Sequence, residues 1–223
     1  MKILALDTAT EACSAALLCD GSVYERHDIA PRRHAELILP MVDGVLAQAG
    51  LGLNDLDAIA FGRGPGAFTG VRIAAGVTQG LALGAGLPVI PISSLAALAQ
   101  PALGNAAVIL PAIDARMGEI YWATCESGLD GLANHASEEQ VTPPDAVQVP
   151  AGKRVFGVGS GWGTYGERLR RILDKQIIGA DPDRFPLAKD MLPLAVREYN
   201  KGRCASAEQA LPVYLRDNVV KQG

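Results

Sequence analysis

Little in this sequence advertises chemistry, and each absence removes a class of function. There is no surplus of positive charge: 20 Lys and Arg stand against 24 Asp and Glu, for a net charge of −4. A free-standing nucleic-acid binder needs a basic face to neutralise phosphates, so that class is excluded. The local cluster Arg168, Arg170, Arg171 and Lys175 reads as a solvated helix face. The three histidines, His27, His34 and His135, are isolated, without the paired spacing that holds a metal. No Gly-x-Ser-x-Gly nucleophile elbow occurs. The four cysteines (Cys13, Cys19, Cys125, Cys204) form no Cys-x-x-Cys pair. That excludes a zinc knuckle and suits a reducing compartment. Aromatic residues make up only 5% of the chain. The apolar start, Ile3 to Leu6, is cut short by Asp7 and Glu11, so neither a signal peptide nor a membrane span is expected. The expectation is a soluble, cytoplasmic protein.

What is present is a core. Of 223 residues 49% are hydrophobic, enough for one well-buried core or two small lobes sharing an interface. The 25 glycines and 14 prolines are scattered, which marks many tight turns and no low-complexity segment. An internal repeat organises the chain. A strand from Ile3 ends in Asp7, and after a short turn a second strand runs from Ala12 to Cys19. Near the middle the pattern returns: Val108 to Ile113, Asp114, a turn through Gly118, then a strand from Glu119 to Cys125. Asp20-Gly21 predicts a type I′ hairpin into a third strand near Ser22–Arg26. Helical spacing follows over His34–Ala49, with Pro40 inside and Gly50 as a stop, over about Thr69–Leu83, and over Ser93–Gln100 with a serine cap. Strands are expected near Leu56–Phe61, Leu87–Ile92 and Arg154–Val158, and helices near Thr164–Asp174 and Leu187–Lys201. The fold class is therefore α/β: an actin-like (ASKHA) fold of two duplicated lobes, 1–103 and 104–223, each a mixed sheet with helices.

In that fold the two hairpin acids grip nucleotide phosphates and metal. Asp7-Thr8-Ala9-Thr10 occupies the first such loop, but Ala9 stands where close approach to a phosphate favours Gly. Either the loop is a relic of a nucleotide site, or Asp7 caps a turn while Thr8 and Thr10 bond its backbone. Asp114 and Arg116 are the counterparts, again without a glycine pair, and can bond each other. The run Gly62-Arg63-Gly64-Pro65-Gly66-Ala67-Phe68-Thr69-Gly70 matches no nucleotide fingerprint. It could present amides to an anion, or form a plain turn with Phe68 packed in the core. Beyond it, Gly76, Gly80 and Gly84 recur every four residues. Each interior glycine costs about 1 kcal/mol against alanine. Close approach of another helix would offset this, inside the lobe or across a subunit boundary.

These residues resemble the TsaB (formerly YeaZ) family. The resemblance is carried by Ile3 to Ser14, by Gly62 to Ile73 (the family's most specific stretch), by Ala112 to Glu119 and by Pro212 to Arg216. Together they run from end to end of the chain; Glu126 to Pro150 is the least diagnostic part. The resemblance implies an actin-like fold with a degenerate nucleotide site at Asp7, Thr8, Thr10, Asp114 and Arg116. It implies a non-catalytic partner of TsaD, the paralogue that transfers threonylcarbamoyl to N6 of the adenosine beside the anticodon in tRNA, with the ATPase TsaE joining the pair. TsaD carries a His-x-x-x-His metal pair after the equivalent strand; Ser94 and Leu98 stand there in this sequence. The family pairs through the helices matching His34–Ala49 and Thr69–Leu83, with TsaD or with a second copy when alone. That implies a partner interface of Leu37, Met41, Val45, Arg72, Gly76, Gly80 and Gly84. No cofactor of its own is implied, ATP being used by the complex, and tRNA is met through the complex. The competing class is an active ATP-dependent kinase or ATPase of the same fold, against which Ala9 and the missing glycines after Asp114 count. A metalloprotease is the third, opposed by the unpaired histidines.

Overall fold

The structure is a computed structural model and describes residues 1–216. Its first sheet has the order β3-β2-β1-β4-β5, from β1 (Lys2–Asp7), β2 (Ala12–Cys19), β3 (Ser22–Ile29), β4 (Ala58–Gly64) and β5 (Val89–Ser93). The strands β1, β2 and β3 are antiparallel neighbours, whereas β4 lies parallel to both β1 and β5. The β2–β3 turn has φ of 48° at Asp20 and 89° at Gly21, the left-handed pair that a type I′ hairpin requires.

Strand β1 is apolar at every position from Ile3 to Leu6 because both faces of the sheet are covered. Leu4 and Leu6 pack with α1 (His34–Ala49) and α2 (Phe68–Ala85), while Ile3 and Ala5 pack with α3 (Ser94–Ala99) and α5 (Ala188–Asn200). Helix α1 starts and stops where the periodicity predicts, with Gly50 at φ 67° closing it, and Pro40 is accommodated inside. The Ser93 side chain caps α3 by accepting from the Ala96 amide at 3.1 Å.

The second sheet repeats the first. Its β6 (Val108–Arg116) pairs antiparallel with β7 (Glu119–Trp122) and parallel with β11 (Val155–Val158), which pairs parallel with β12 (Ile177–Asp181). Around this frame lie β8 (Cys125–Ser127), β9 (Ala133–His135) and β10 (Gln140–Thr142), with α4 (Ser160–Leu173) packed on β6. Trp122 and Trp162 fill the core of this lobe with Val108, Leu110 and Leu169.

Several elements differ from expectation. The strand expected over Glu119–Cys125 is two: β7 pairs with β6 and β10, and β8 pairs with β9 after a break at Ala123-Thr124. Helix α4 begins at Ser160, not near Thr164. Gly161, Gly163 and Gly166 hide its first turns, and Gly161 is demanded because a Cβ there would press on Ala112 at 2.9–3.0 Å. Strand β12 and the hairpin elements within 126–150 were not anticipated. The division at residues 103/104 separates the two sheets but not their packing. Helix α5, from the C-terminal part, lies on β1, β2, β4 and β5, and Ala205 bridges to Val89 at the edge of the first sheet. One apolar cluster runs through both lobes, from Ile3 and Ala5 to Ile109, Ile113 and Met191.

Candidate functional site

The first hairpin loop is filled by the chain itself. Asp7 and Thr8 are fully buried. Asp7 Oδ1 accepts from the Ala9 amide at 2.8 Å and its Oδ2 from the Ser94 hydroxyl at 3.4 Å. Burial pushes the Asp7 carboxyl up from 3.8 to about 7, against the pull of those two donors. Thr8 Oγ1 donates to the Gly70 carbonyl at 2.7 Å, and the Ala67 amide donates to the Ala9 carbonyl at 2.7 Å. The glycine run 62–70 is therefore a clamp on the hairpin loop. A Cβ at Gly62 would collide with the Asp7 carboxylate, at Gly66 with Ala9 and at Gly70 with the Thr8 carbonyl. Space that glycines could leave for a phosphate is taken by residues 7–9. Ser94 is fully buried beneath Asp7, and Leu98 packs against Gly159.

The second hairpin is open. Arg116 Nη1 meets Asp114 Oδ2 at 3.1 Å, and its Nη2 reaches Glu11 Oε1 of the first lobe at 3.3 Å. Asp114, Arg116, Glu11 and Thr10 line a cavity of about 460 Å³ between the lobes, together with His34, Tyr121 and Tyr214. Thr10 Oγ1 and His34 Nε2 are buried in its wall with no hydrogen-bond partner among the described residues. Of the five residues expected at a degenerate nucleotide site, Thr10, Asp114 and Arg116 reach this cavity, whereas Asp7 and Thr8 lie behind it. Among the described residues no group of three or more His, Cys, Asp or Glu is placed to hold a metal ion. No helix there is long and apolar enough to cross a membrane.

A partly buried polar node ties the lobes together beside the clamp. Glu139 accepts from Arg63 Nη1 at 2.9 Å and from the Ser93 hydroxyl, and lies 3.4 Å from His135 Nε2. His135 is depressed by burial, with Glu139 opposing that shift, while burial pushes the neighbouring Cys125 thiol up to about 12, so the thiol stays protonated and inert. Nothing in the spacing of Arg63, Ser93, His135 and Glu139 announces this node, since it joins β4 and β5 to the far lobe.

On the outer side, α2 shows a second kind of glycine. Gly76, Gly80 and Gly84 are exposed, and a Cβ at any of them would meet nothing within 4 Å among the described residues. Packing among the described residues therefore does not explain them. Phe68, 56% exposed, lines the cavity between the lobes and is not in the core. The expected contribution of α1 needs correction. Val45 is fully buried and Met41 is 9% exposed, both packed in the core under the sheet, and Leu37 is half-buried against it. The apolar stripe of α1 is its core face; outward it presents Ala35, Leu39, Pro40 and Asp43.

Comparison with known proteins agrees with this architecture. Residues 26–159 match the family model described as TsaD, tRNA N6-adenosine threonylcarbamoyltransferase. The chain is 45% identical to the tRNA threonylcarbamoyladenosine biosynthesis protein TsaB of Escherichia coli strain K12, over 98% of this chain and 96% of that one. With the protein of the same name from Haemophilus influenzae the identity is 44%, over 98% and 95%. The solved structure of YeaZ from Pseudomonas aeruginosa superposes with a TM-score of 0.90 at 48% identity, covering 96% of this chain and 99% of that one. The two mixed sheets with their helices are the duplicated lobes of an actin-like fold. With this identity along nearly its whole length, the chain belongs to the TsaB (YeaZ) family.

Proposed function

We propose that this chain is a non-catalytic scaffold and activating subunit that works with TsaD and TsaE in threonylcarbamoyl transfer to tRNA adenosine. The observation that carries this reading is the contrast between its two sets of glycines. Those at 62, 66 and 70 are needed by the chain's own packing and fill the first loop around a buried Asp7. Those at 76, 80 and 84 are needed by no contact among the described residues, and leave a shallow floor on α2 open to another helix. A partner would be TsaD in the complex and a second copy of this chain when TsaD is absent. In this reading the chain is cytoplasmic, uses no cofactor of its own, leaves ATP to the complex and meets tRNA through it.

The test is reconstitution of tRNA modification from TsaD, TsaE and the adenylate-forming enzyme, with and without this chain. Modification is expected to fail without it, and to fail with Gly80→Leu, whose side chain fills the floor while the monomer stays folded. Equal modification without the chain, or unchanged co-purification of Gly80→Leu with TsaD, refutes the reading. ATP turnover by the isolated chain, lost in Asp7→Ala, would establish the kinase-like alternative instead.

A further inference from the structure

The cavity between the lobes has a polar end that the chain leaves unfinished. Helices α1 and α2 both begin in its wall, where their first residues, His34 and Phe68, line it. Neither N-cap, Arg33 or Ala67, places a side-chain acceptor on the helix amides. The first amides of a helix lack partners within it and carry the positive end of its dipole, so both starts favour an anion. Two buried side chains in the same wall ask for the same thing. The Thr10 hydroxyl and His34 Nε2, on residues 6% and 8% exposed, have no partner among the described residues. The hydroxyl can donate, and so can His34 with its proton on Nε2; an acceptor in the cavity would satisfy both.

The charges of the lining set the size of that anion. Arg116 is shared by Asp114 and Glu11, at 3.1 and 3.3 Å, and Arg216 is paired with Glu119. Among the described residues this leaves Arg32, which is exposed, as the cavity's cation without a carboxylate. One unmatched positive charge fits one negative charge. A phosphate dianion or polyphosphate fits poorly: no lysine lines the cavity, Asp114 and Glu11 stand in its wall, and residues 7–9 fill the glycine loop.

The rest of the wall is apolar, from Phe68, Ile113, Tyr121, Val213, Tyr214 and Leu215. Two of its rings are held by Arg72, which is not in the lining. The Arg72 guanidinium carbon lies 3.2 Å from the Phe68 centroid and 4.7 Å from that of Tyr214, and its Nη1 donates to the Phe68 carbonyl at 3.0 Å. Apolar walls with a few convergent polar groups, in about 460 Å³, suit a small organic molecule.

We propose that this cavity binds a small monocarboxylate with an aromatic body. The carboxylate accepts from Thr10, His34 and Arg32 at the start of α1, and the ring lies against Phe68, Tyr121 and Tyr214. The site is independent of the docking surface on α2.

The experiment titrates the intact chain with 3-phenylpropionate, 3-phenylpropanol, inorganic phosphate and AMP, by calorimetry and saturation-transfer NMR. Phenylpropionate is expected to bind with Kd of about 1 mM or tighter, a reasonable affinity for a ligand of about ten non-hydrogen atoms. Phenylpropanol, which keeps the ring and lacks the charge, should bind at least about tenfold more weakly. Arg32→Gln should weaken phenylpropionate about tenfold and leave phenylpropanol unchanged; Arg32 is exposed, so folding is not at issue. Thr10→Val keeps the side-chain shape and should weaken phenylpropionate without lowering the unfolding midpoint. Phenylpropionate binding only above about 10 mM, or equal binding of the alcohol, would overturn the proposal. So would unchanged affinity in both Arg32→Gln and Thr10→Val. Tighter binding of AMP or phosphate would overturn it in favour of a surviving nucleotide site.

Discussion

Replacing Gly76, Gly80 and Gly84 together by alanine should make the isolated chain more stable and its pairing weaker. The first half follows from geometry. None of the three has a positive φ, and an added Cβ at each meets nothing within 4 Å. An exposed interior glycine costs a helix about 0.8–1 kcal/mol relative to alanine, through the freedom it keeps in the unfolded chain. Gly84 lies next to the last helical residue, Ala85, and contributes less. The three together should add about 2 kcal/mol, which raises Tm by roughly 4–8 °C for a chain of this length. Urea unfolding followed by fluorescence of the buried Trp122 and Trp162 would report it, with m unchanged. Pairing stabilises the folded state by mass action, so the comparison belongs at the dilute limit of a concentration series. Gly62→Ala is the opposite control: its Cβ collides with the Asp7 carboxylate, and overpacking of this kind costs about 1–3 kcal/mol. If the triple alanine variant is less stable than wild type in the dilute limit, the α2 glycines serve the monomer's own packing. The α2 face is then not an open docking floor.

Two further predictions concern buried polar groups. Asp7 has a folded pKa raised to about 7, so between about pH 4 and 7 the folded state keeps a proton that the unfolded state releases. Its contribution to stability is therefore present at acid pH and lost as pH rises through 7. Asp7→Asn, which imitates the protonated acid, should gain stability relative to wild type from pH 5 to pH 8, by an amount on the order of a few kcal/mol; parallel stability–pH curves would refute the assignment. Glu139→Gln removes the charge that Arg63, Ser93 and His135 share across the lobes. With the Arg63 side chain only 23% exposed, its stranded charge should cost about 2 kcal/mol in urea unfolding. An unchanged midpoint would mean that the node contributes nothing to holding the lobes together.

Much of the frame was legible from local signals. The limits of α1, the left-handed turn at Asp20-Gly21, the Ser93 cap and the repeated strand–turn–strand unit each depend on a few adjacent residues. Local reading failed where a distant contact set the rule. The glycines of α4 look like a loop until Ala112 is seen against Gly161. Met41 and Val45 share an apolar stripe with Leu37, and periodicity shows that such residues lie on one face. It cannot show whether the sheet or a partner covers that face; here the sheet does.

The same division runs through the candidate site. Residue order alone establishes that no metal pair or phosphate fingerprint is present, that Ala9 stands where a glycine is favoured, and that glycines recur every fourth residue from Gly76 to Gly84. These are facts of residue type and spacing. Which glycines are filled and which are open is set by the folded chain, because that depends on what stands opposite a missing Cβ. Across the fold, residues 7–9 stand opposite Gly62, Gly66 and Gly70, and nothing among the described residues stands opposite Gly76, Gly80 and Gly84.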